Sequence, residues 1–363
     1  MNGWRVARIA GIDVRVDPSF LLIALLIGSN VYSGLVDSFR YPALTSGAAL
    51  ALAGAAAALF FLSILGHELA HAGMSRARDI PVAGIVIYMF GGATYTAAED
   101  RGPVDEFLTT VVGPATSAAI GAVLLFVHRQ VALPEGLDVI IDSLGRLNVA
   151  LAIFNVIPSF PLDGGRLLRS VIWRVTGNRY LATEIAARTG QVLAAGMIAF
   201  AVLRAVQEQD LWWLWLAFIA SMLFRSAGAT LSDANRRRAL ESATAAQVMS
   251  PPPPAVAAEL SVGEAIARYL SGHEGEAFPV VSDDAVVGFV SLSTVQGVPL
   301  DRPVLAAAVA PTAVVTVSAT DRMDEVVRRL QQDHVAAVLV MDQGRLVGLI
   351  EAGDVNRFLA GRS

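Results

Sequence analysis

The possible folds of this chain are limited most strongly by a long apolar run without charged residues, together with the motif that follows it. Residues 41–66 contain no Asp, Glu, Lys or Arg, and they lead into His67-Glu68-Leu69-Ala70-His71. About 20 consecutive apolar residues are enough to cross a bilayer as one helix. The sequence therefore predicts a transmembrane helix that carries an H-E-x-x-H motif at its C-terminal end.

The spacing of this motif favours a metal site. Residues i and i+4 share one face of a helix, so His67 and His71 can present two imidazole nitrogens to one zinc ion, with Glu68 beside them as a candidate general base. A chance match is the alternative, since a lone His in an apolar segment is more often a core residue than a ligand. Ionisable groups at the edge of the hydrocarbon are costly, which favours the functional interpretation.

The composition is that of a membrane protein. Hydrophobic residues make up 55% of the 363 residues and charged residues only 16%, and the mean hydropathy is +0.57. The absence of Cys excludes disulfides and thiolate metal sites, and a net charge of -5 gives no reason to expect nucleic acid as a partner. All 27 basic residues are Arg, which indicates a GC-rich bacterial gene.

Apolar runs predict about six transmembrane helices. These are Phe20 to Val36, Tyr41 to His71, Phe107–Val127, Leu147–Leu162, and two shorter ones at Gly190–Leu203 and Leu211–Phe224. Residues 1–18 predict a short strand or hairpin before the first span. The segment Val82–Tyr95 is too short and too rich in Gly for a span, and we expect a re-entrant hairpin near the motif.

The distribution of Arg predicts the orientation. If the N-terminus is cytoplasmic, the opposite side of the membrane holds only Arg40, Arg129, Arg146 and Arg204. The positive-inside rule then places both chain ends in the cytoplasm. The same topology puts the H-E-x-x-H motif and Asp163 at one membrane face.

Asp163 is the candidate third ligand. A catalytic zinc takes three protein ligands and keeps a fourth position open for water. Asp163 lies just past an apolar run, between Pro161 and Gly164-Gly165. An ordinary Asp-Gly turn is the alternative, but the shared topology favours a ligand. Metal-assisted amide hydrolysis would follow, with Glu68 taking and returning the proton.

Two further features leave alternatives open. Asn155, two turns before Asp163, can donate to a developing oxyanion or hold a substrate strand, or it can make a polar bond between helices. Gly113-Pro114 in the third predicted span is either a packing kink or part of the site.

These residues together resemble the site-2 protease family of intramembrane zinc metalloproteases. The resemblance rests on the His67–His71 motif and on Asn155-x-x-Pro158-x-x-Pro161-Leu162-Asp163-Gly164-Gly165. It implies His67, His71 and Asp163 as ligands of one Zn²⁺ per chain, Glu68 as the catalytic base and Asn155 as a further catalytic residue. It also implies regulated intramembrane proteolysis of single-pass membrane proteins, such as anti-sigma or pro-sigma factors, in the bacterial inner (plasma) membrane.

The C-terminal part contains an internal repeat. After Val248-Met249-Ser250 and four prolines, a helix followed by two apolar strands occurs twice. This pattern is similar to a pair of cystathionine-β-synthase (CBS) domains, which the branch typified by the sporulation pro-sigma factor processing protease carries at its C-terminus. The predicted domains are a membrane protease domain at 1–235, a linker at 236–245, and CBS domains at 246–300 and 303–363.

The nucleotide motif of CBS domains, Gly-x-x-Thr/Ser-x-x-Asp, is incomplete in both repeats. The first keeps Ser291 but has Thr294 in place of Asp, and the second keeps Asp354 but has Glu351 in place of the hydroxyl. Ser291 and Asp354 are therefore the remaining candidates for binding an adenine nucleotide. The alternative is a module that only dimerises or docks substrate, and a homodimer through the membrane domain, the CBS domains or both is expected.

The predicted fold class is a polytopic α-helical membrane protein, with about six transmembrane helices and a re-entrant β-hairpin, plus a C-terminal α/β CBS-pair domain. The predicted function is an intramembrane zinc metalloprotease whose CBS pair modulates activity or substrate docking. The alternatives are a CBS-gated ion transporter, in which His67, Glu68 and Asp163 line an ion path, and a catalytically inactive membrane binding protein. The spans show no two-fold hydropathy repeat, which argues against the transporter. The intact ligand set with Glu68 argues against the inactive protein.

Overall fold

The computed structural model describes residues 3–36, 44–88, 91–96, 101–273, 276–283, 285–309, 315–332, 337–343 and 345–361. The chain forms two compact units, Met1–Ser232 and Asp233–Ser363. The start of the second predicted span, at Tyr41, lies outside the described residues.

The first unit is built from seven described helices and a small sheet. The helices are α1 (Phe20–Leu35), α2 (Ser46–Ala77), α3 (Pro103–Gln130), α4 (Glu135–Val156), α5 (Asp163–Thr176), α6 (Arg179–Glu208) and α7 (Trp213–Ser242). Among the described residues, five of them, α2, α3, α4, α6 and α7, are long and apolar enough to cross a membrane. The other predicted span, α1, has 16 residues and rises about 24 Å, less than the hydrocarbon thickness of about 30 Å.

Helix α4 differs from the predicted fourth span, which was placed at Leu147–Leu162. It begins at Glu135, because the charges in its first half are paired: Asp142 accepts from Arg146 Nε at 2.8 Å, and Asp138 lies 2.7 Å from His128 Nδ1 of α3. It ends at Val156, before Pro158 and Pro161, which cannot continue a helix.

Helix α5 was not predicted from the sequence. It begins at Asp163, whose negative charge is favourable at a helix N-terminus, and ends at Thr176, just before Gly177, which has a left-handed φ of 67°. The helix is too short to span a bilayer and carries three Arg residues. Its sequence therefore contains no apolar run long enough to predict a membrane helix.

Two hairpins form one sheet in the first unit. Strands β1 (Trp4–Ile9) and β2 (Ile12–Val16) make the predicted N-terminal hairpin, and β3 (Val82–Tyr88) and β4 (Gly91–Thr96) make the second predicted hairpin. Strands β2 and β3 pair in parallel, with Val14 opposite Ile85, giving the order β1-β2-β3-β4. Strand β4 is therefore an edge strand, and it packs beside α2.

Small residues let the membrane helices approach closely. A methyl group on Gly121 of α3 would lie 2.9 Å from the carbonyl oxygen of Gly145 in α4. Nearby, the buried Asn148 of α4 donates to Ser63 Oγ of α2 at 3.1 Å. The interfaces of α3 and α4 thus rely on close backbone contact and interhelical hydrogen bonds, as is usual inside membranes.

The second unit repeats one arrangement. The first half contains β5 (Val256–Ala257), a helical segment from Val262 to Leu270, β6 (Phe278–Ser282) and β7 (Ala285–Val290). The second half contains β8 (Thr316–Ser318), a helix at Met323–Gln332, β9 (Ala337–Asp342), β10 (Arg345–Glu351) and a helix at Ala352–Ala360. Each half has a parallel pair followed by an antiparallel pair, in the orders β5-β6-β7 and β10-β9-β8.

The residues predicted as a linker are structured. Helix α7 continues through Ser242, and residues 245–248 form the short helix α8 (Ala245–Val248). Ala243, Ala245 and Val248 are buried in the core of the second repeat, and Ser250 pairs with Leu349 of β10. The segment before the prolines thus packs with the second half of the tail.

We expect Gly121→Ala to destabilise the membrane unit. The new methyl group would lie 2.8 Å from Val149 Cγ2 as well as against Gly145, and overpacking costs about 1–3 kcal/mol. Gly54→Ala is the control, because a methyl group there meets nothing within 4 Å and Ala favours a helix. Thermal unfolding in detergent would give a lower midpoint for Gly121→Ala than for Gly54→Ala. Equal midpoints would contradict the close packing of α3 on α4.

Candidate metal centre

Helix α2 presents His67, Glu68 and His71 to the inside of the first unit. Their exposed fractions are only 4%, 3% and 6%. The two histidines are one turn apart, and their Nε2 atoms converge to 3.1 Å. The helical spacing therefore brings the two imidazoles together as the motif predicts.

Asp163 completes the cluster from α5. Its Oδ2 lies 3.1 Å from His67 Nε2 and 3.3 Å from His71 Nε2. Burial alone raises the pKa of Asp163, but hydrogen bonds and charge interactions with His67 and His71 outweigh burial and hold that pKa below its usual range. The carboxyl group is thus ionised, as a metal ligand must be.

The two glycines after Asp163 allow this placement. A side chain at Gly164 would collide with the carbonyl oxygens of Val156 and Ile157, at the end of α4. A methyl group at Gly165 would lie 2.8 Å from the backbone nitrogen of Phe160. Helix α5 therefore begins in direct backbone contact with the turn that precedes it, which brings Asp163 back toward α2.

Helix α3 orients both imidazole rings. His71 Nδ1 donates to the carbonyl oxygen of Thr109 at 2.7 Å, and His67 Nδ1 lies 2.9 Å from Ser117 Oγ. Because the Thr109 carbonyl can only accept, Nδ1 of His71 carries a proton, and Nε2 is the ring nitrogen that faces the cluster. Partners of this kind fix the tautomer and the direction of metal-binding histidines.

Gly113 lies against the two histidines. A methyl group on it would lie 2.7 Å from His67 Nε2 and closer still to His71 Nε2. Only glycine at this position lets α3 approach far enough to reach both rings. Gly113-Pro114 was interpreted as either a packing kink or part of the site. For Gly113, the contact with both histidines favours the second interpretation.

Strand β4 covers Glu68. Thr94 Oγ1 donates to Glu68 Oε2 at 2.8 Å and lies 3.1 Å from the Glu68 carbonyl oxygen. A methyl group on Gly92 would lie 2.6 Å from Glu68 Oε1. The hairpin thus supplies one hydrogen bond to the carboxylate and a close backbone contact that requires Gly92.

A cavity of about 210 Å³ opens beside these groups. Its lining includes Glu68, Asn155 and Asp163, together with Ile219, Met222 and Leu223 of α7. Within the described part of the chain, the side chain of Asn155 makes no hydrogen bond to another residue, so the interhelical bond considered for it is not formed there. Its amide is available to a molecule in the cavity.

The cluster fits a zinc ion. Two imidazole nitrogens and one carboxylate oxygen lie within 4.8 Å of one another. This donor set matches a catalytic zinc site with three protein ligands and one open position. Two further features suit a metal ion between the Nε2 atoms. The Nδ1 atoms of both histidines have partners on α3, and Gly113 has no side chain that would occupy the space beside the Nε2 atoms.

Three site residues escaped the sequence analysis. Thr109 acts through its backbone carbonyl, for which no side-chain pattern exists. Thr94 stands two residues after Gly92 in the predicted hairpin, and the approach of that hairpin to the motif is the signal that points to it. Tyr88, at the end of β3, also lines the cavity.

The two residues considered for nucleotide binding, Ser291 and Asp354, form hydrogen bonds with other residues of the tail. Asp354 is 5% exposed and accepts from Ser250 Oγ at 2.6 Å, from the Glu351 backbone nitrogen at 2.9 Å, and from Arg357. Ser291 Oγ lies 2.8 Å from Ser293 Oγ. In the second repeat, the carboxylate considered for nucleotide binding is therefore engaged within the protein.

Family models match both parts of the chain. The model described as peptidase family M50 matches residues 128–200. The model for the CBS domain matches residues 245–298 and 306–361. The predicted fold class, a helical membrane protein with a C-terminal CBS pair, is confirmed by these matches together with the apolar helices.

Relatives extend the match to nearly the full length. A Synechocystis protein named "Putative zinc metalloprotease sll0528" is 32% identical over 99% of this chain and 96% of its own length. "Putative zinc metalloprotease Rip3" of Mycobacterium tuberculosis is 32% identical over 82% of this chain and 76% of its own. The solved structure of a site-2 protease from Methanocaldococcus jannaschii matches with a TM-score of 0.43 and 24% identity, covering 63% of this chain and 95% of that one.

The relationship to sll0528 is close enough and long enough to establish the family. It confirms the resemblance stated from the sequence motifs and the predicted enzyme class. The chain belongs to peptidase family M50, the site-2 protease family of zinc metalloproteases, and carries a pair of CBS domains.

Proposed function

We propose that the protein is an intramembrane zinc metalloprotease that cleaves single-pass membrane proteins within or near their transmembrane segments. The observation that carries this proposal is the convergence of His67, His71 and Asp163 beside Glu68, on a helix apolar enough to cross a membrane. A substrate segment has to reach this cluster from the bilayer. The proposal therefore assigns a membrane helix, and not a soluble peptide, as the substrate.

His67, His71 and Asp163 hold one zinc ion per chain in this proposal. Bound zinc would polarise the scissile carbonyl group and lower the pKa of a water molecule. Glu68 accepts a proton from the attacking water at its carboxylate and later delivers it to the leaving amine nitrogen. Thr94 keeps that carboxylate in place through the hydrogen bond to Oε2.

Asn155 and strand β4 contact the substrate backbone. A helical substrate hides its amides, so the segment has to unwind before it can be cleaved. Strand β4 is a sheet edge next to Glu68, and an extended segment can pair with such an edge. The free amide of Asn155 can donate to the oxygen of the scissile carbonyl as negative charge develops there.

The tail modulates activity or substrate docking. Helix α7 lines the cavity with Met222 and Leu223 and continues to Ser242, directly before the segment at 243–250 that packs in the second repeat. Helix α7 is therefore the part of the chain that leads from the cavity lining to the tail. The bonds already made by Asp354 favour a docking or dimerising role over an adenine nucleotide site.

The remaining assignments follow from the sequence and stay proposals. They are a bacterial inner-membrane location with both termini in the cytoplasm, a homodimer, anti-sigma or pro-sigma factors as substrates, and the division into 1–235, 236–245 and 246–363. The ion-transport alternative is less well supported, because partners on α3 hold the imidazoles in one fixed direction. A conduction path needs sites that release the ion readily.

We expect purified wild-type protein to hold about one zinc per chain, and His67→Ala and Asp163→Ala to lose it, since each substitution removes one of three ligands. His128→Ala is the matched control, because His128 pairs with Asp138 away from the cluster and its loss leaves the zinc content unchanged. Metal analysis after gel filtration measures all four proteins. Wild-type zinc content in both ligand variants would contradict the proposed site.

We expect Glu68→Gln to keep zinc but lose activity by a factor of about 10²–10⁴, because Gln cannot take the proton. Membrane proteomes of cells with wild-type or variant protein are compared, with Glu184→Gln as the control for an exposed carboxylate paired to Arg188. A single-pass protein, or a truncated stub of one, accumulates only with Glu68→Gln. If the two variants give identical proteomes across growth and stress conditions, the protease proposal fails.

A further inference from the structure

Two neighbouring carboxylates in the first turn of α3 contact two different helices. Asp105 Oδ1 accepts from Arg78 Nε at 2.7 Å, and Arg78 caps the C-terminal end of α2. Glu106 Oε1 accepts from Arg169 Nε at 2.8 Å, and Arg169 lies on α5. One helical turn thus ties the helix that carries His67 and His71 to the helix that carries Asp163.

The Glu106 pair is deeply buried. The Glu106 side chain is 0% exposed and that of Arg169 16% exposed. A buried ion pair costs desolvation energy and is seldom the most stable way to fill a site. Arg166 Nε lies 3.8 Å from the same Glu106 Oε1 and its side chain is 35% exposed, so it is a more distant second partner of this carboxylate. Glu106 Oε2 has no hydrogen-bond partner among the described residues. Net stability alone is therefore a poor explanation for this pair, and a positional role fits it better.

The pair lies where it controls the ligand geometry. Thr109, whose carbonyl holds His71, follows Glu106 by one turn of α3. Arg169 follows Asp163 by six residues on α5, about 9 Å along the helix axis. The Arg169 guanidinium also lies 5.7 Å from the centre of the Phe160 ring, in the turn that leads to Asp163. Arg169 therefore contacts α3 and the entry to α5 at once.

We propose that Asp105, Glu106, Arg78 and Arg169 form a clamp that sets the position of Asp163 relative to the two histidines. These four are positioning residues, since they act on the metal ligands through α2, α3 and α5. Without the Glu106–Arg169 pair, α5 can rotate or slide on α3, and the distances from Asp163 Oδ2 to the two Nε2 atoms change. The inference rests on the proposed zinc site.

The test measures how fast zinc leaves the full-length protein in detergent when a chelator is added. We expect Glu106→Gln and Arg169→Met each to speed release by about 10–100-fold, as is typical when partners that orient ligands are lost. Because the two residues act as one unit, the double variant releases zinc no faster than the worse single variant. Cobalt substitution adds a second measurement, with an altered visible spectrum in the variants reporting a changed ligand geometry.

Asp142→Asn and Arg146→Met provide the matched control. They break an ion pair that lies within α4 and is largely exposed on the Arg146 side, and they leave zinc release and the cobalt spectrum unchanged. Unfolding of the metal-free variants separates a role in stability from a role in positioning. If Glu106→Gln only lowers the unfolding midpoint and zinc release stays at the wild-type rate, the clamp is overturned.

A second pair keeps the test decisive if the buried variants do not fold. Arg78→Met and Asp105→Asn remove the more exposed half of the clamp, and we expect each to speed zinc release by a smaller factor. Wild-type release in both would overturn the clamp while the zinc site stands. A wild-type protein that holds no zinc would instead remove the proposed function itself, so the two failures are distinguishable.

Discussion

A histidine or a carboxylate inside an apolar helix bundle is costly unless its polar atoms have partners, and the two histidines of the cluster meet that requirement through another helix. The far nitrogens of His67 and His71 find theirs on α3, at Ser117 and the Thr109 carbonyl. For both rings to contact these partners, the backbone of α3 has to lie directly against the two imidazoles. Gly113 is the consequence, since any side chain there would occupy the space of the Nε2 atoms.

The same requirement explains the other glycines around the centre. Gly92 lets β4 approach Glu68 so that Thr94 can bond its carboxylate, and Gly164 lets α5 start against the end of α4. Gly92 and Gly113 mark places where backbone lies against a side chain of the site, whereas Gly164 allows one backbone segment to lie against another. These glycines lie on three different elements, β4, α3 and α5, so no single sequence motif contains them all.

The sequence predicted the parts of this site that depend on local spacing. His67 and His71 share a helix face, and the Arg distribution predicted Asp163 at the same membrane face as this motif. The sequence did not predict that β2 and β3 pair in parallel. Two helices separate these strands, and the alternation of apolar and polar residues in each strand does not show which residues of the other strand lie opposite. Nor did the sequence predict α5, whose length and charge differ from those of a span. Thr109 contributes a backbone carbonyl, which every residue type possesses, so its role depends on the packing of α3 alone.

The cavity has two kinds of lining, and this difference constrains the substrate. Glu68, Asn155 and Asp163 supply polar groups, while Ile219, Met222 and Leu223 on α7 offer only apolar contacts. Successive side chains of an extended segment point to opposite faces, so such a segment in this cavity meets the apolar lining as well as the polar groups. Apolar side chains suit that surface, whereas a charged one would be desolvated there without a partner. A segment taken from the interior of a bilayer meets this condition by composition, which links the shape of the cavity to the membrane origin of the proposed substrate.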